Sequence, residues 1–181
     1  VQVQVPTGFN INSKKVFDIT QTNAKPRENA GIKRDERMLL KALIHNAPCP
    51  IEISQQMPEG INAAYRPQDK KIFVRAGLDA GDIFRGLSQE LAHAHLDNGE
   101  YKRNEHAFTA YCASYMLCSR YNVAKDMFRF ERLPENISTM DARSMRNELS
   151  KIRDVANEIS ADMAKILEKD MKPKERRDEA R

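Results

Sequence analysis

The pattern of apolar and polar positions predicts only short extended segments at the start of the chain. Residues 1–5, VQVQV, alternate as a half-buried strand does, but the same pattern also fits a mobile end. Residues 16–22, VFDITQT, form a second extended run that closes on polar side chains. Residues 23–35 have the composition of a loop.

A helix and a β-hairpin are predicted next. Residues 36–47 place apolar side chains at helical spacing, and the Pro-Cys-Pro run at 48–50 ends this helix. Residues 61–65 and 71–76 have strand-like patterns, and Pro67 between them suits the second position of a tight turn. We therefore expect these two segments to pair as a hairpin.

A helical pattern with a core-facing stripe spans residues 80–97. At 100° per residue, one arc about 100° wide contains the apolar side chains Ile83, Phe84, Leu87, Leu91 and Ala94. Glu90, His93 and Gln89 follow one another outward from the same edge of this stripe. The sequence therefore predicts that these three polar residues border the buried face, where a cleft wall would lie.

A second helix is predicted from Arg103 onward. Its apolar face contains Phe108, Cys112 and Tyr115, which are spaced four and three positions apart. Glu105 precedes Phe108 by three positions, so we expect its carboxylate to point toward the interior. A buried charge without a partner is costly, and this carboxylate would need a cation or a metal ion.

A long C-terminal helix is predicted over residues 142–168. Its apolar seam has alternating spacings of four and three and consists of Met145, Leu149, Ile152, Ala156, Ile159, Met163 and Ile166. Such a seam either packs along the domain or pairs with another chain, and packing is the favoured interpretation. Residues 169–181 contain almost no apolar side chains and are expected to form a disordered, charged tail.

Composition narrows the function classes only slightly. The chain has 181 residues, enough to bury a core without help from metal or disulfides. Residues 1–75 contain 12 Lys and Arg against 7 Asp and Glu, so this front part is basic. Its cations occur in pairs rather than in a stripe, and no recognised nucleic-acid motif accompanies them. DNA binding by residues 1–75 is therefore kept as an alternative.

Cysteine usage indicates a reducing compartment, and hydropathy indicates a chain without a membrane span. Cys49, Cys112 and Cys118 are an odd number without a Cys-x-x-Cys pair, which favours reduced, structural thiols. No run approaches the roughly 18 apolar residues of a membrane span, and no signal peptide opens the chain. Since residue 1 is Val, we expect the chain to be a piece of a larger protein.

The segment QELAH, residues 89–93, differs from the zinc signature H-E-x-x-H only at Gln89. In that signature two histidines one helical turn apart bind zinc, and the Glu acts as the general base for a metal-bound water. A carboxamide oxygen is a weaker zinc donor than imidazole, so weak or absent zinc binding is expected. His95 lies 200° from His93 on the helix and joins the site only if the helix ends near Ala94. A metal-free polar cluster of Glu90, His93 and Glu105 is the alternative.

Three blocks of the chain resemble a known family in their order and content. They are residues 16–22, residues 63–95 and residues 104–123, and they are similar to the zincin-like metallopeptidase domain of ArdC-type antirestriction proteins. The ImmA and IrrE peptidases are similar more distantly. The closest likeness is to the LtrC-like proteins of conjugative transposons, and it covers residues 16–169.

This resemblance implies a fold and a set of site positions. The fold would be an α+β, zincin-like domain over residues 1–168, in which a small sheet or hairpin packs on the motif helix. A second core helix and a long C-terminal helix would follow. By the family's pattern, Glu90 takes the general-base position, His93 and Glu105 take retained ligand positions, and Gln89 takes the degenerate position of the first zinc histidine.

The function expected from this resemblance is a degenerate, non-catalytic metallopeptidase-like domain of a mobile-element or antirestriction protein in the bacterial cytoplasm. No cofactor is expected, with zinc as the alternative. The partner would be an unidentified protein or peptide, and no membrane is involved. Two alternative functions remain, an active metal hydrolase with an altered first ligand and a nucleic-acid-binding module.

Overall fold

The computed structural model describes residues 2–7, 10–15, 35–45 and 47–171. They fall into two units on either side of the boundary between Ile32 and Lys33. The predicted extended run at 16–22 lies outside the described residues, and so do almost all of the predicted loop and the tail beyond residue 171. The expectation of one domain over residues 1–168 stays a prediction.

The first unit contains a pair of antiparallel strands. Strand β1 (Gln2–Thr7) pairs with β2 (Asn10–Lys15), and Thr7 faces Asn10 across the ladder. The alternating pattern at the start of the chain therefore forms a strand, which is the first of the two interpretations that the sequence allowed.

The second unit is an α+β arrangement, and the predicted fold class is confirmed. Its elements, in chain order, are α1 (Glu36–His45), β3 (Ile51–Ser54), β4 (Ala63–Arg66), β5 (Lys71–Arg75), α2 (Ala80–Leu96), α3 (Arg103–Tyr121), α4 (Glu135–Ser138) and α5 (Ala142–Met171). None of the helices in the described residues has the length and apolar content to cross a membrane.

The small sheet has the strand order β3-β5-β4. Strands β4 and β5 form the predicted antiparallel hairpin, in which Tyr65 faces Ile72. Strand β3 runs parallel to β5 and was not predicted, because four residues are too few to show a clear period. Both Tyr65 and Ile72 are buried, so one face of the hairpin supplies core packing.

Helix α2 is the element around which the second unit is arranged. It contacts α1, α3, α5, β4 and β5. The carboxylate of Asp79 caps its first turn by accepting a hydrogen bond from the Asp82 N–H at 2.7 Å. Phe84, Leu87 and Leu91 are at most 1% exposed, as the predicted stripe requires. Five other elements of the second unit therefore fix the position of α2.

The prediction of which side of α3 faces the core is wrong. The buried side chains are mostly small, and they are Thr109, Ala110, Ala113, Ser114, Leu117 and Cys118. They let α3 approach α2 closely enough for the hydroxyl oxygens of Ser88 and Ser114 to lie 2.8 Å apart. Glu105 belongs to the opposite side, where 62% of its side chain is exposed. The prediction that its carboxylate points inward is therefore also wrong.

Helix α5 packs on the domain as favoured, but only along part of its seam. The seam residues from Ile152 to Ile166 are buried against a core that α1, α2 and α3 share. Leu149, nearer the start of the helix, is 55% exposed, contrary to the predicted seam. The helix also continues to Met171, past the predicted boundary at residue 168.

Gly86 and Gly77 provide a matched test of the backbone. A Cβ atom at Gly86, within α2, would meet the Cβ atoms of Ala63 and Asn62 at 3.4 Å, which is ordinary contact. We expect Gly86→Ala to raise the free energy of unfolding by about 0.5–1 kcal/mol, because alanine favours the helix.

Gly77 has open space but a φ of +81°. Gly77→Ala should lower stability by about 1 kcal/mol. Chemical denaturation measures both, and equal effects would contradict this backbone description.

Candidate functional site

Glu90 is a buried carboxylate with three hydrogen-bond donors. It lies on α2 and is 3% exposed. One oxygen accepts from the backbone N–H of Tyr65 at 2.7 Å and from Arg103 Nη1 at 2.8 Å, and the other accepts from Arg103 Nη2 at 2.6 Å. The two arginine contacts form a bidentate ion pair. The residue in the general-base position therefore has both oxygens engaged by a fixed cation.

Arg103 is the functional residue that sequence reasoning missed. It opens α3, and the hydrogen bond to Glu90 is the main reason that its pKa is raised. A signal for it existed, since a carboxylate at the border of a buried face needs a cation, and Arg103 stands at the predicted start of the next helix. Reasoning from the apolar pattern instead selected Glu105, whose carboxylate pairs at the surface with Lys102 Nζ at 3.1 Å.

His93 is wholly buried beside this pair, further inside than the predicted border of the stripe. Its Nδ1 shares a hydrogen bond with the Tyr101 hydroxyl, and the two rings meet edge to face. Its Nε2 has no hydrogen-bond partner among the described residues. Burial, with Arg103 and His106 nearby, lowers the pKa of His93 to about 3. The imidazole is therefore neutral at physiological pH.

A chain of aromatic and charged groups continues from His93 to the protein surface. The ring of Tyr101 packs edge-on against Tyr65, with centroids 5.9 Å apart. The Tyr65 hydroxyl donates to Asp97 at 2.7 Å, and Lys70 Nζ donates to the same carboxylate oxygen at 2.7 Å. These two bonds, that of Lys70 first, lower the pKa of Asp97 to about 2. The end of α2 is therefore fixed to the β4–β5 hairpin.

The predicted ligands do not assemble into a zinc site. Gln89 is half-buried, and Glu105 points to solvent. His95 lies elsewhere, with Nδ1 3.4 Å from Glu158 Oε1. Within the described ranges, no three His, Cys, Asp or Glu side chains converge as a metal site would require. A catalytic zinc site uses three protein ligands, and the donors left here are the imidazole of His93 and a weak carboxamide.

A cleft of about 330 Å³ opens beside the Glu90–Arg103 pair. Residues 60–63 and α2 form two of its sides, with Gly86 and Gln89 among the lining residues, and Met127 and Phe128 contribute from the loop after α3. A second, apolar groove of about 280 Å³ shares Gln89 and Tyr111 with the cleft. Gln89 thus stands where two cavities meet. With Glu90 held by Arg103, the arrangement is suited to binding rather than to proton transfer.

No family model, curated protein or solved structure matches the chain. What is established about the site therefore comes from its geometry. That geometry defines an α+β domain in which a buried glutamate pairs with a partly exposed arginine, and a neutral, buried histidine lies beside an open cleft. The kinship with zincin-like domains stays an expectation from the sequence.

The Glu90–Arg103 pair is expected to stabilise the domain. Arg103→Met should lower the free energy of unfolding by about 1–3 kcal/mol, because it leaves a buried carboxylate without its cation. Glu90→Gln in the same chain should recover part of this loss. Lys102→Met, which removes the adjacent exposed cation, should change stability by less than about 0.5 kcal/mol. Urea denaturation of the four proteins measures this, and equal losses at Arg103 and Lys102 would contradict the described pair.

The buried imidazole predicts a specific pH dependence of stability. The pKa of His93 is about 3 in the folded protein against an ordinary value of 6.5, so the unfolded chain takes up the proton first as the pH falls. The free energy of unfolding should stay level above about pH 7. It should then decrease by up to about 1.4 kcal/mol per pH unit from about pH 6 to about pH 4. His93→Asn should flatten this slope, whereas His45→Asn, at an exposed position, should keep it. A slope that is unchanged in His93→Asn would show that another group causes it.

Proposed function

We propose that this chain is a non-catalytic binding domain of zincin-like ancestry, in which the guanidinium of Arg103 takes the place of a metal cation. One observation carries the proposal. Both oxygens of Glu90 accept hydrogen bonds from Arg103, at 2.6 and 2.8 Å. A glutamate in this position of an active enzyme must accept a proton from a metal-bound water. The ion pair with Arg103 prevents Glu90 from accepting a proton, and it compensates the charge of the buried carboxylate.

The cleft provides the remaining function, which is binding. Its walls come from α2, residues 60–63 and the loop after α3. The partner would be a protein or peptide segment that is held without being cut. The resemblance of three sequence blocks to ArdC-type and LtrC-like proteins supports a role in a mobile-element or antirestriction protein. The unpaired thiols of Cys49, Cys112 and Cys118 are compatible with the proposed bacterial cytoplasm.

An active metal hydrolase is the second candidate, and His93 is the observation that favours it. Its Nε2 is buried and unpartnered, and its Nδ1 is held by Tyr101, which is how a histidine ligand is commonly oriented. In that case His93 and Gln89 would hold the metal ion. Arg103 would have to release Glu90 before the carboxylate could accept a proton.

Metal analysis separates the two candidates. The wild type should contain no stoichiometric zinc after dialysis, and Gln89→His should bind zinc only weakly. Gln89→His with Arg103→Met should bind at least about tenfold more tightly, because a positive charge beside His93 has been removed. Gln89→His with Lys102→Met is the matched control and should resemble Gln89→His alone. A competition titration with a zinc-chelating dye gives all four affinities.

Two outcomes would reject the non-catalytic proposal. One is a full equivalent of zinc that stays with the wild type through dialysis. The other is a hydrolysis that chelator abolishes and that Glu90→Gln also abolishes. Equal zinc affinities in the Arg103 and Lys102 double variants would instead reject the cation-replacement role of Arg103.

A further inference from the structure

Exposed apolar side chains are concentrated around the two cavities. Of the seven large hydrophobic side chains that are exposed in the described part of the chain, four belong to this region. Ile61 and Met127 line the cleft, Phe130 lines the apolar groove, and Leu133 lies between two groove residues. Met127 is 66% exposed and Leu133 is 49% exposed. A concentration of exposed apolar side chains beside cavities is typical of an interaction site.

The apolar groove, which we call the Phe130 groove, is held in a fixed shape. Its lining includes Ala107, Phe108, Tyr111, Arg129, Phe130 and Arg132. The rings of Tyr111 and Tyr115 meet that of Phe130 edge to face, with centroids 5.4 and 5.1 Å apart. The Tyr111 hydroxyl also accepts a hydrogen bond from the Arg129 N–H at 2.6 Å. The groove therefore needs little ordering when a ligand enters, which favours affinity.

The lining of this groove contains two arginines and no acidic side chain. The guanidinium of Arg129 donates to the backbone carbonyls of Asp126 and Phe128, and that of Arg132 has no partner among the described residues. In the adjoining cleft, by contrast, each arginine is paired with an acid, Arg103 with Glu90 and Arg85 with Asp82. Charge complementarity therefore points to an acidic ligand at the groove end.

We propose that the Phe130 groove docks a peptide segment of a protein partner, with a leucine or aromatic side chain in the groove and flanking carboxylates at Arg129 and Arg132. The main chain of the segment would continue past Gln89, whose carboxamide offers both a donor and an acceptor at the junction with the cleft. This assignment rests on the proposed function in one respect, that the site binds its partner without cutting it.

The lining favours a peptide over single-stranded nucleic acid. Nucleic-acid sites of that kind present open aromatic faces to successive bases along a basic track. Here Tyr111 and Tyr115 pack against Phe128 and Phe130, and aliphatic side chains form much of the exposed surface. Of the four arginines that line the two cavities, only Arg129 and Arg132 lack an acidic partner among the described residues. Nucleic acid is therefore treated as an outcome that would overturn the proposal.

Fluorescence anisotropy with a defined probe tests this docking site. The probe is a short labelled peptide in which Leu-Phe is flanked on both sides by Asp-Glu. One matched peptide replaces Leu-Phe by Ser-Ser, and another replaces the acids by Asn-Gln. The wild-type domain should bind the first peptide at least about tenfold more tightly than either matched peptide, and this binding should weaken as salt is raised.

Substitutions in the groove locate the binding. Arg132→Glu and Phe130→Ala should each weaken binding of the probe at least about tenfold. Arg37→Glu, an equal charge change at an exposed position on α1 outside both cavities, should leave the affinity unchanged. Circular dichroism confirms that each variant is folded, and Arg132→Glu alters an exposed side chain, so it keeps the test valid if Phe130→Ala unfolds the loop.

The outcomes separate this assignment from the proposed function. Three outcomes would overturn the assignment. The probe does not bind up to about 1 mM, or it binds equally well to both groove variants, or a labelled oligo-dT binds more tightly and the groove substitutions abolish that binding. In each case the metal analysis would still stand. Mass spectrometry of the bound probe shows whether the domain cleaves it. Binding with metal-dependent cleavage would keep the groove as a docking site and reject the non-catalytic proposal.

Discussion

The burial of one carboxylate constrains how the β4–β5 hairpin, α2 and α3 are arranged. Glu90 lies inside the core on α2, and its three donors come from two other parts of the chain, the backbone of β4 at Tyr65 and the start of α3 at Arg103. Because leaving this carboxylate without its cation would cost about 1–3 kcal/mol, the hairpin, α2 and α3 are held in one relative arrangement. The ion pair therefore acts as a structural joint at the position that the zinc signature assigns to a proton acceptor.

The requirements for binding and for catalysis differ at the cleft beside Glu90. A general base requires a carboxylate that is free to take a proton, whereas a cleft requires only walls and a lining. Here the walls come from α2 and residues 60–63, and the loop after α3 contributes Met127 and Phe128 to the lining. On the proposed zincin-like ancestry, Gln89 and the Glu90–Arg103 pair would abolish the chemistry, and these walls and this lining would remain for binding.

Aromatic packing orders the exposed loop that we propose for recognition. The loop after α3 presents Met127, Phe130 and Leu133 to solvent, where isolated apolar side chains contribute little to stability. The rings of Tyr111 and Tyr115 hold the loop against α3 through edge-to-face contacts with Phe128 and Phe130. A partner that covers the loop would bury this surface without first having to order it.

Local periodicity determined the elements, and tertiary packing decided the site. The hairpin and helices α1, α2 and α5 follow from the spacing of apolar residues, because that spacing acts within one element; β3 was too short to show it. The orientation of α3 does not follow, since its small residues face α2 and its larger ones face a loop. On that helix Arg103 lies about 30° from the middle of the buried face and Glu105 about 130° from it. The sequence could predict that Glu90 needs a cation, but only the packing of α3 on α2 decided that the cation is Arg103.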